Sequence, residues 1–252
     1  MQKSRFFKRN SILCQAKQFI FNLSTEILII FIFSQSDFAQ LRTNFKKLPT
    51  DFALDERIEN TDGIKIRKKL KKLLSNPPVK LFLASVKEAE GGEPNLMVGG
   101  CRAKNLKQHP AETLPKSCFF PININGKIKH STRSGNYQLT LENWKQLASF
   151  LGLKDFSEEN QALAALELIR RGGGAANAYT EKGLAIKNRI QTGFLALLAG
   201  NLKSAFRLAS YDWASSKSSP LPVPPGYKKI DYWQLSEKIK NRRAANDKKI
   251  IK

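Results

Sequence analysis

Histidine is nearly missing from this 252-residue chain, which has two, and cysteine is sparse at three. His109 and His130 stand at no spacing that makes a metal site, and the cysteines form no zinc-finger pattern. No metal and no cofactor is therefore expected. Acid is scarce as well: 21 Asp+Glu face 43 Lys+Arg, a formal net charge of +22. A surface this basic seeks polyanions. Nucleic acid is not the expected one, because there is no RNA-recognition signature, no zinc-finger spacing and no defensible helix-turn-helix. Anionic wall polymers or an anionic membrane surface fit the charge equally well. A long apolar run is also lacking. Phe19 to Phe33 is broken by Asn22, Ser24, Thr25 and Glu26, and its intact part is far short of the roughly 20 residues a bilayer span needs.

What the first 39 residues do have is a basic start, a short apolar stretch and small residues at Ser34, Ser36 and Ala39. That reads as a signal peptide, with Glu26 against it. A surface anchor or a non-native upstream extension fits the same residues. Export to the periplasm or cell wall, and retention in the cytoplasm until release, both stay open. Cys101 and Cys118 could pair in an exported chain, but two buried thiols are the favoured reading.

The chain divides into a basic N-terminal segment (1–39), a linker with a basic amphipathic helix (40–77), a main domain (78–240) and a basic, mobile tail (241–252). In the second part Ile66, Leu70, Leu73 and Leu74 share one helical face, and lysines fill the other. The expectation is that the leucines pack on the neighbouring domain and the lysines face water. Asn76-Pro77-Pro78 breaks the chain, and Pro78 opens a new helix, because proline at a helix start gives up no hydrogen bond. Val79, Phe82, Leu83 and Val86 form its apolar face, and Gly91-Gly92 stops it. Ile122 to Lys129 alternates around Asn125-Gly126, a strong signal for a hairpin. Thr140 and Ser157 stand where helix caps belong. Further helices are read as starting at Gly200, with Leu202, Ala205, Phe206, Ala209 and Trp213 on one face, and at Asp231, with Tyr232, Leu235 and Ile239 inward.

The stretch that organises the rest runs from Ser131 to Asp155. Ser131-Thr132-Arg133-Ser134-Gly135-Asn136-Tyr137-Gln138 leads into a helix with Trp144, Leu147, Ala148 and Leu151, and then Leu151-Gly152-Leu153-Lys154-Asp155-Phe156-Ser157 follows. This string closely resembles the lambda-phage endolysin family, muramidase-like lytic transglycosylases of lysozyme-type fold. Ala89-Glu90-Gly91-Gly92, Val98-Gly99-Gly100, His109-Pro110, Trp213-Ala214-Ser215 and Gly226-Tyr227 match the family in order, over about Pro78 to Lys240. Ala111 replaces an Arg that the family often has. Lys228-Lys229 replaces its Gly-Gln. The match is weakest from Gly172 to about Thr192, where an insertion is expected.

The resemblance implies an α+β, mainly helical, lysozyme-like fold with a small β-hairpin lobe flanking a cleft. It implies a monomer that cuts peptidoglycan glycan strands, with Glu90 as the catalytic acid. The placement agrees: a carboxyl in a last helical turn, partly buried, faces the negative end of the helix dipole, which favours the protonated form a general acid needs. Ser131, Tyr137 and Gln138 would line the cleft, with Trp213 and Tyr227 as apolar or stacking walls. For Trp213, core packing fits as well. His109 is read as structural. The loop Ser131–Gln138 carries no second acid, which fits a transglycosylase. A hydrolytic lysozyme using Glu93 or Glu112, and a non-catalytic wall-binding relative, remain alternatives, as does a basic nucleic-acid or membrane-surface protein on the same fold.

Overall fold

Local chemistry sets where several of the described helices begin and end. The structure is a computed structural model that describes residues 62–124, 126–173, 181–210, 213, 215–217 and 228–250. The proposed signal segment and residues 1–61 generally lie outside the described residues.

Helix α1 (Gly63–Leu73) is capped by Asp62, whose side chain accepts from the Ile64 N–H. Its buried face is Ile66, Leu70 and Leu73. That face packs on two helices of the main domain, α4 (Leu141–Leu151) and α5 (Glu158–Arg170). Arg67 donates to the Gly152 carbonyl at 3.0 Å. Lys65, Lys68, Lys71 and Lys72 are exposed. The expected split between leucine and lysine faces is therefore present, and α1 sits on the domain rather than in a free linker.

Helix α2 (Pro77–Ala89) starts at Asn76, which caps Val79 N–H, with prolines in the first two positions. It buries Val79, Phe82, Leu83 and Val86 against the later helices α6 (Glu181–Leu198), α7 (Leu202–Ala209) and α8 (Tyr232–Ile250). Phe82 stacks on Phe206 at 4.9 Å and meets Trp213 edge-on at 6.3 Å. A second packing centre is Phe156, edge-on to both Trp144 and His109 at 4.7 Å. Between these centres lies α5, buried continuously from Asn160 to Ile169. A helix buried all round belongs to the middle of a domain. Its one acid there, Glu167, is bound at 2.6 Å by both Arg170 and Arg171.

The small lobe holds the short helix α3 (Pro110–Thr113), a 3₁₀ turn (Lys116–Cys118) and the hairpin of β1 (Phe120–Ile124) and β2 (Lys127–Ser131). The strands pair antiparallel from Phe120 with Ser131 to Ile124 with Lys127, so Gly126 is in the two-residue turn the sequence predicts. Its φ of +78° is the left-handed backbone such a turn requires. The mainly helical α+β class with a small hairpin is thus what the structure shows.

Four local expectations are corrected. Cys101 and Cys118 form a disulfide, with Cα atoms 5.6 Å apart, where two thiols were favoured. Residues 241–250 continue α8 as helix, and Arg242 grips both oxygens of Glu88 at 2.6 and 2.7 Å, so this stretch is not a loose tail. Asn201, not Gly200, caps α7, and Trp213 lies beyond that helix. The Ser157 side chain makes no capping bond; the Asp155 carboxylate takes the Ser157 N–H instead.

Candidate active site at the end of α2

Glu90 is the residue on which α2 ends. Gly91 and Gly92 follow at φ +106° and +70°, backbone that L side chains rarely adopt, so the helix cannot continue. The Glu90 side chain is half-buried. Its Oε1 accepts two hydroxyl donors, Ser215 Oγ and Tyr232 OH, the second at 2.6 Å. Those two oxygens are themselves 2.5 Å apart. Oε2 has no hydrogen-bond partner among the described residues.

Burial, then the charge and hydrogen bond of Glu90, push the Tyr232 phenol well above the usual tyrosine range. It therefore stays a neutral O–H donor around neutral pH. Two cations face the group. Lys229 is held below the usual lysine range, because its desolvation outweighs the pull of Glu90. Arg133 acts on Tyr232 in the opposite sense to Glu90.

Ser215 is aimed by backbone. Its carbonyl accepts the Ile230 N–H at 2.6 Å, and the Ile230 carbonyl accepts the Lys217 N–H at 2.9 Å. This pairing sets the residues just before α8 beside the segment after α7. Trp213, two residues before Ser215, is 1% exposed. Its indole N–H donates to the Tyr137 carbonyl at 2.9 Å. One short segment thus holds both the acid and the loop after β2.

That loop is stiff. Ser134 and Leu139 exchange both backbone hydrogen bonds, and Gly135 donates to the Leu96 carbonyl at 2.8 Å. Gly135 has φ +78°, and a Cβ there would strike the Gln161 amide and the Phe156 ring. Gln138 is left-handed at φ +48°, uncommon without glycine. Its Nε2 donates to the Gly135 carbonyl at 3.0 Å. Its Oε1, and Asn136 Oδ1, are buried with no hydrogen-bond partner among the described residues.

Of the residues singled out from sequence, the structure links Glu90, Trp213, Tyr137 and Gln138 through this frame. Ser131 ends β2, buried, with its hydroxyl accepting the Arg133 N–H at 3.4 Å. Tyr137 is 6% exposed, and burial raises its phenol pKa. Trp213 is packed among core rings and shows no open stacking face. Tyr227 lies outside the described residues. His109 is fully buried: its Nδ1 accepts the Ala111 N–H and its Nε2 meets the Leu139 carbonyl at 3.0 Å, so it is a structural residue of the loop. The two rival acids are engaged elsewhere. Glu93 pairs with Arg102, and Glu112 closes the cap of α3 and pairs with Lys145 at 3.2 Å.

Sequence reasoning missed Tyr232, Ser215 and Gln161. Tyr232 was legible as an inward residue of α8, and a buried phenol needs a partner, which was the available signal. Gln161 is fully buried: its Oε1 accepts the Asn136 N–H at 2.8 Å, and its Nε2 donates to the Pro94 and Phe156 carbonyls at 3.0 and 2.7 Å. No motif marks it. Among the described residues no group of His, Cys, Asp and Glu could hold a metal ion, and no helix is long and apolar enough to cross a membrane.

A mainly helical domain with one carboxyl held between hydroxyls, beside a stiff polar loop, is the class that fold and site define. Residues 82–192 match the family model described as Endolysin, and the match runs through the stretch read as an insertion. A curated relative, the endolysin of Escherichia phage lambda, is 34% identical over 79 residues, 31% of this chain and 44% of that protein. The alignment thus spans less than half of that relative. Among solved structures, bacteriophage lambda lysozyme complexed with a chitohexasaccharide aligns at TM-score 0.43 and 24% identity, over 66% of this chain and 94% of that one. The lysozyme from bacteriophage lambda aligns at TM-score 0.39 and 23% identity, over 65% and 89%. The resemblance to the lambda-phage endolysin family read in the sequence is shown by the family match and the curated relative.

Proposed function

We propose that this protein cleaves the β-1,4 bond between N-acetylmuramic acid and N-acetylglucosamine in peptidoglycan, with Glu90 as general acid and then base. The observation that carries this is the half-buried Glu90 carboxyl at the end of α2, held on one oxygen by Ser215 and Tyr232. The family match over residues 82–192 supports the substrate class.

In the transglycosylase form, Glu90 gives its proton to the glycosidic oxygen as that bond to C1 breaks. The C6 hydroxyl of the same muramoyl residue attacks C1, and its proton goes to Glu90. The product is a 1,6-anhydro sugar, no water is consumed, and the acid is restored. Most glycosidases need a second carboxylate. Glu93 and Glu112 are committed to Arg102 and Lys145, and the loop Ser131–Gln138 has none, which supports the single-acid route. Ser131, Tyr137 and Gln138 shape the wall beside Glu90 from behind, since all three are buried.

The test is mass spectrometry of purified peptidoglycan digested by the full chain and by Glu90→Gln. Anhydro-muramoyl ends, lost in the variant, are the expected result. Ends one water heavier would make the enzyme a hydrolase. No fragments from a folded, wall-bound protein would leave a binding relative without the enzyme.

A further inference from the structure

We infer that Tyr232, together with Ser215, is a positioning residue that fixes one oxygen of Glu90 and leaves Oε2 as the oxygen that meets a substrate. The inference rests on Glu90 as the working carboxyl. Glu90 needs such a clamp because of where it stands. It is the residue at which α2 stops, and two glycines follow it. Backbone alone does not hold a long side chain there in one rotamer.

The clamp itself is rigid, and it is anchored to the helix that carries Glu90. Tyr232 is the first residue of α8 and 2% exposed. Its ring meets Phe206 edge-on at 6.2 Å, and Phe206 stacks on Phe82 of α2 at 4.9 Å. Its neighbour Asp231 is turned away, its carboxylate accepting the Gln234 N–H at 3.2 Å to cap α8. Ser215 arrives from a separate segment, fixed by its backbone bond with Ile230. Two donors from two joined segments converge on a single oxygen, so the carboxyl can neither swing nor exchange its two oxygens without breaking both bonds. The charged groups facing the trio are Arg133, from the loop after β2, and Lys229, just before α8. Neither is altered by removing the phenol oxygen.

The experiment labels the protein with glutamate carrying carbon-13 in the side-chain carboxyl. The Glu90 resonance is assigned by its loss in Glu90→Gln. In Tyr232→Phe, which keeps the ring packing, the Glu90 carboxyl resonance is expected to move from its position in the unsubstituted protein at the same pH. Ser215→Ala is expected to move it as well. On peptidoglycan, kcat of Tyr232→Phe falls about tenfold or more while KM stays near its original value. An unchanged Glu90 resonance in folded Tyr232→Phe overturns the inference. If that variant does not fold, carbon-13 in the tyrosine ring decides: contact with Glu90 requires one tyrosine ring resonance to shift in Glu90→Gln at neutral pH, and no such shift overturns it. If the unsubstituted protein releases no fragments, the cleavage reading fails while these spectra still decide the clamp.

Discussion

Two buried side chains, Gln161 and His109, hold the site's loop without touching its chemistry. Gln161 joins three pieces of chain that are far apart in sequence: Pro94 just after the acid, Asn136 in the loop, and Phe156 ahead of its own helix. A buried amide with all its bonds made is costly to disturb, because each orphaned partner loses its solvation. His109 adds a pH dependence. Burial lowers its pKa from 6.5 to about 4, so the native state keeps it neutral where the unfolded chain takes a proton. Its contribution is complete above pH 6.5 and is lost progressively as pH falls toward 4. The loss is on the order of 3 kcal/mol by the lower end. Urea unfolding near pH 7 and near pH 4.5 is expected to show this fall, and His109→Asn is expected to flatten it. His109 is read as structural in the sequence, and the structure supplies the reason: it caps the short helix α3. Gln161 was not legible there, since its partners come together only in three dimensions.

At the scale of elements, punctuation made the helices readable. Asn76-Pro77-Pro78 and Gly91-Gly92 bracket α2, and Asn125-Gly126 sets the hairpin register, each by a local steric rule. The disulfide obeys no such rule. Cys101 belongs to a turn in which the Met97 N–H bonds the Cys101 carbonyl at 2.9 Å, and the next residue, Val98, donates to the Arg133 carbonyl at 3.0 Å. Cys118 immediately precedes Phe119 and β1. The cross-link therefore fastens the start of the hairpin to the turn that braces the loop beyond its end. Closing a loop of 17 residues is worth about 3 kcal/mol in the chain-entropy view. Dithiothreitol, or Cys101→Ser with Cys118→Ser, is expected to lower Tm and to speed amide exchange in β1 and β2 more than in α5. Equal exchange in both forms would show that the bond braces nothing. Residues 241–250 misled the sequence reading because a polar, basic string looks like a tail; its helix is steadied by the grip of Arg242 on Glu88.

The whole molecule pairs an ordinary core with an extreme surface. Composition predicts the charge but not where it sits. α1 shows one answer: its buried leucines are inside and its lysines outside, so its apolar face is not free to insert into lipid. Attraction of such a face to anionic walls is long-range and screened, with a Debye length of about 10 Å at 0.1 M salt. Sedimentation with purified cell walls is expected to fall steeply between about 50 and 300 mM salt, whereas contacts confined to a neutral glycan cleft would hold. The helical class and the hairpin lobe were legible because periodicity and turn chemistry are local. The meeting of α2, the Ser215 segment and α8 around one carboxyl was not, because it depends on how distant helices pack. The same limit hid the disulfide, whose consequence is one of timing. Thiols made in a reducing compartment stay apart, and the bond closes only where an oxidant can take their electrons. The lobe is therefore slack for as long as no oxidant is met and braced once one is, so its state reports the redox conditions around the molecule.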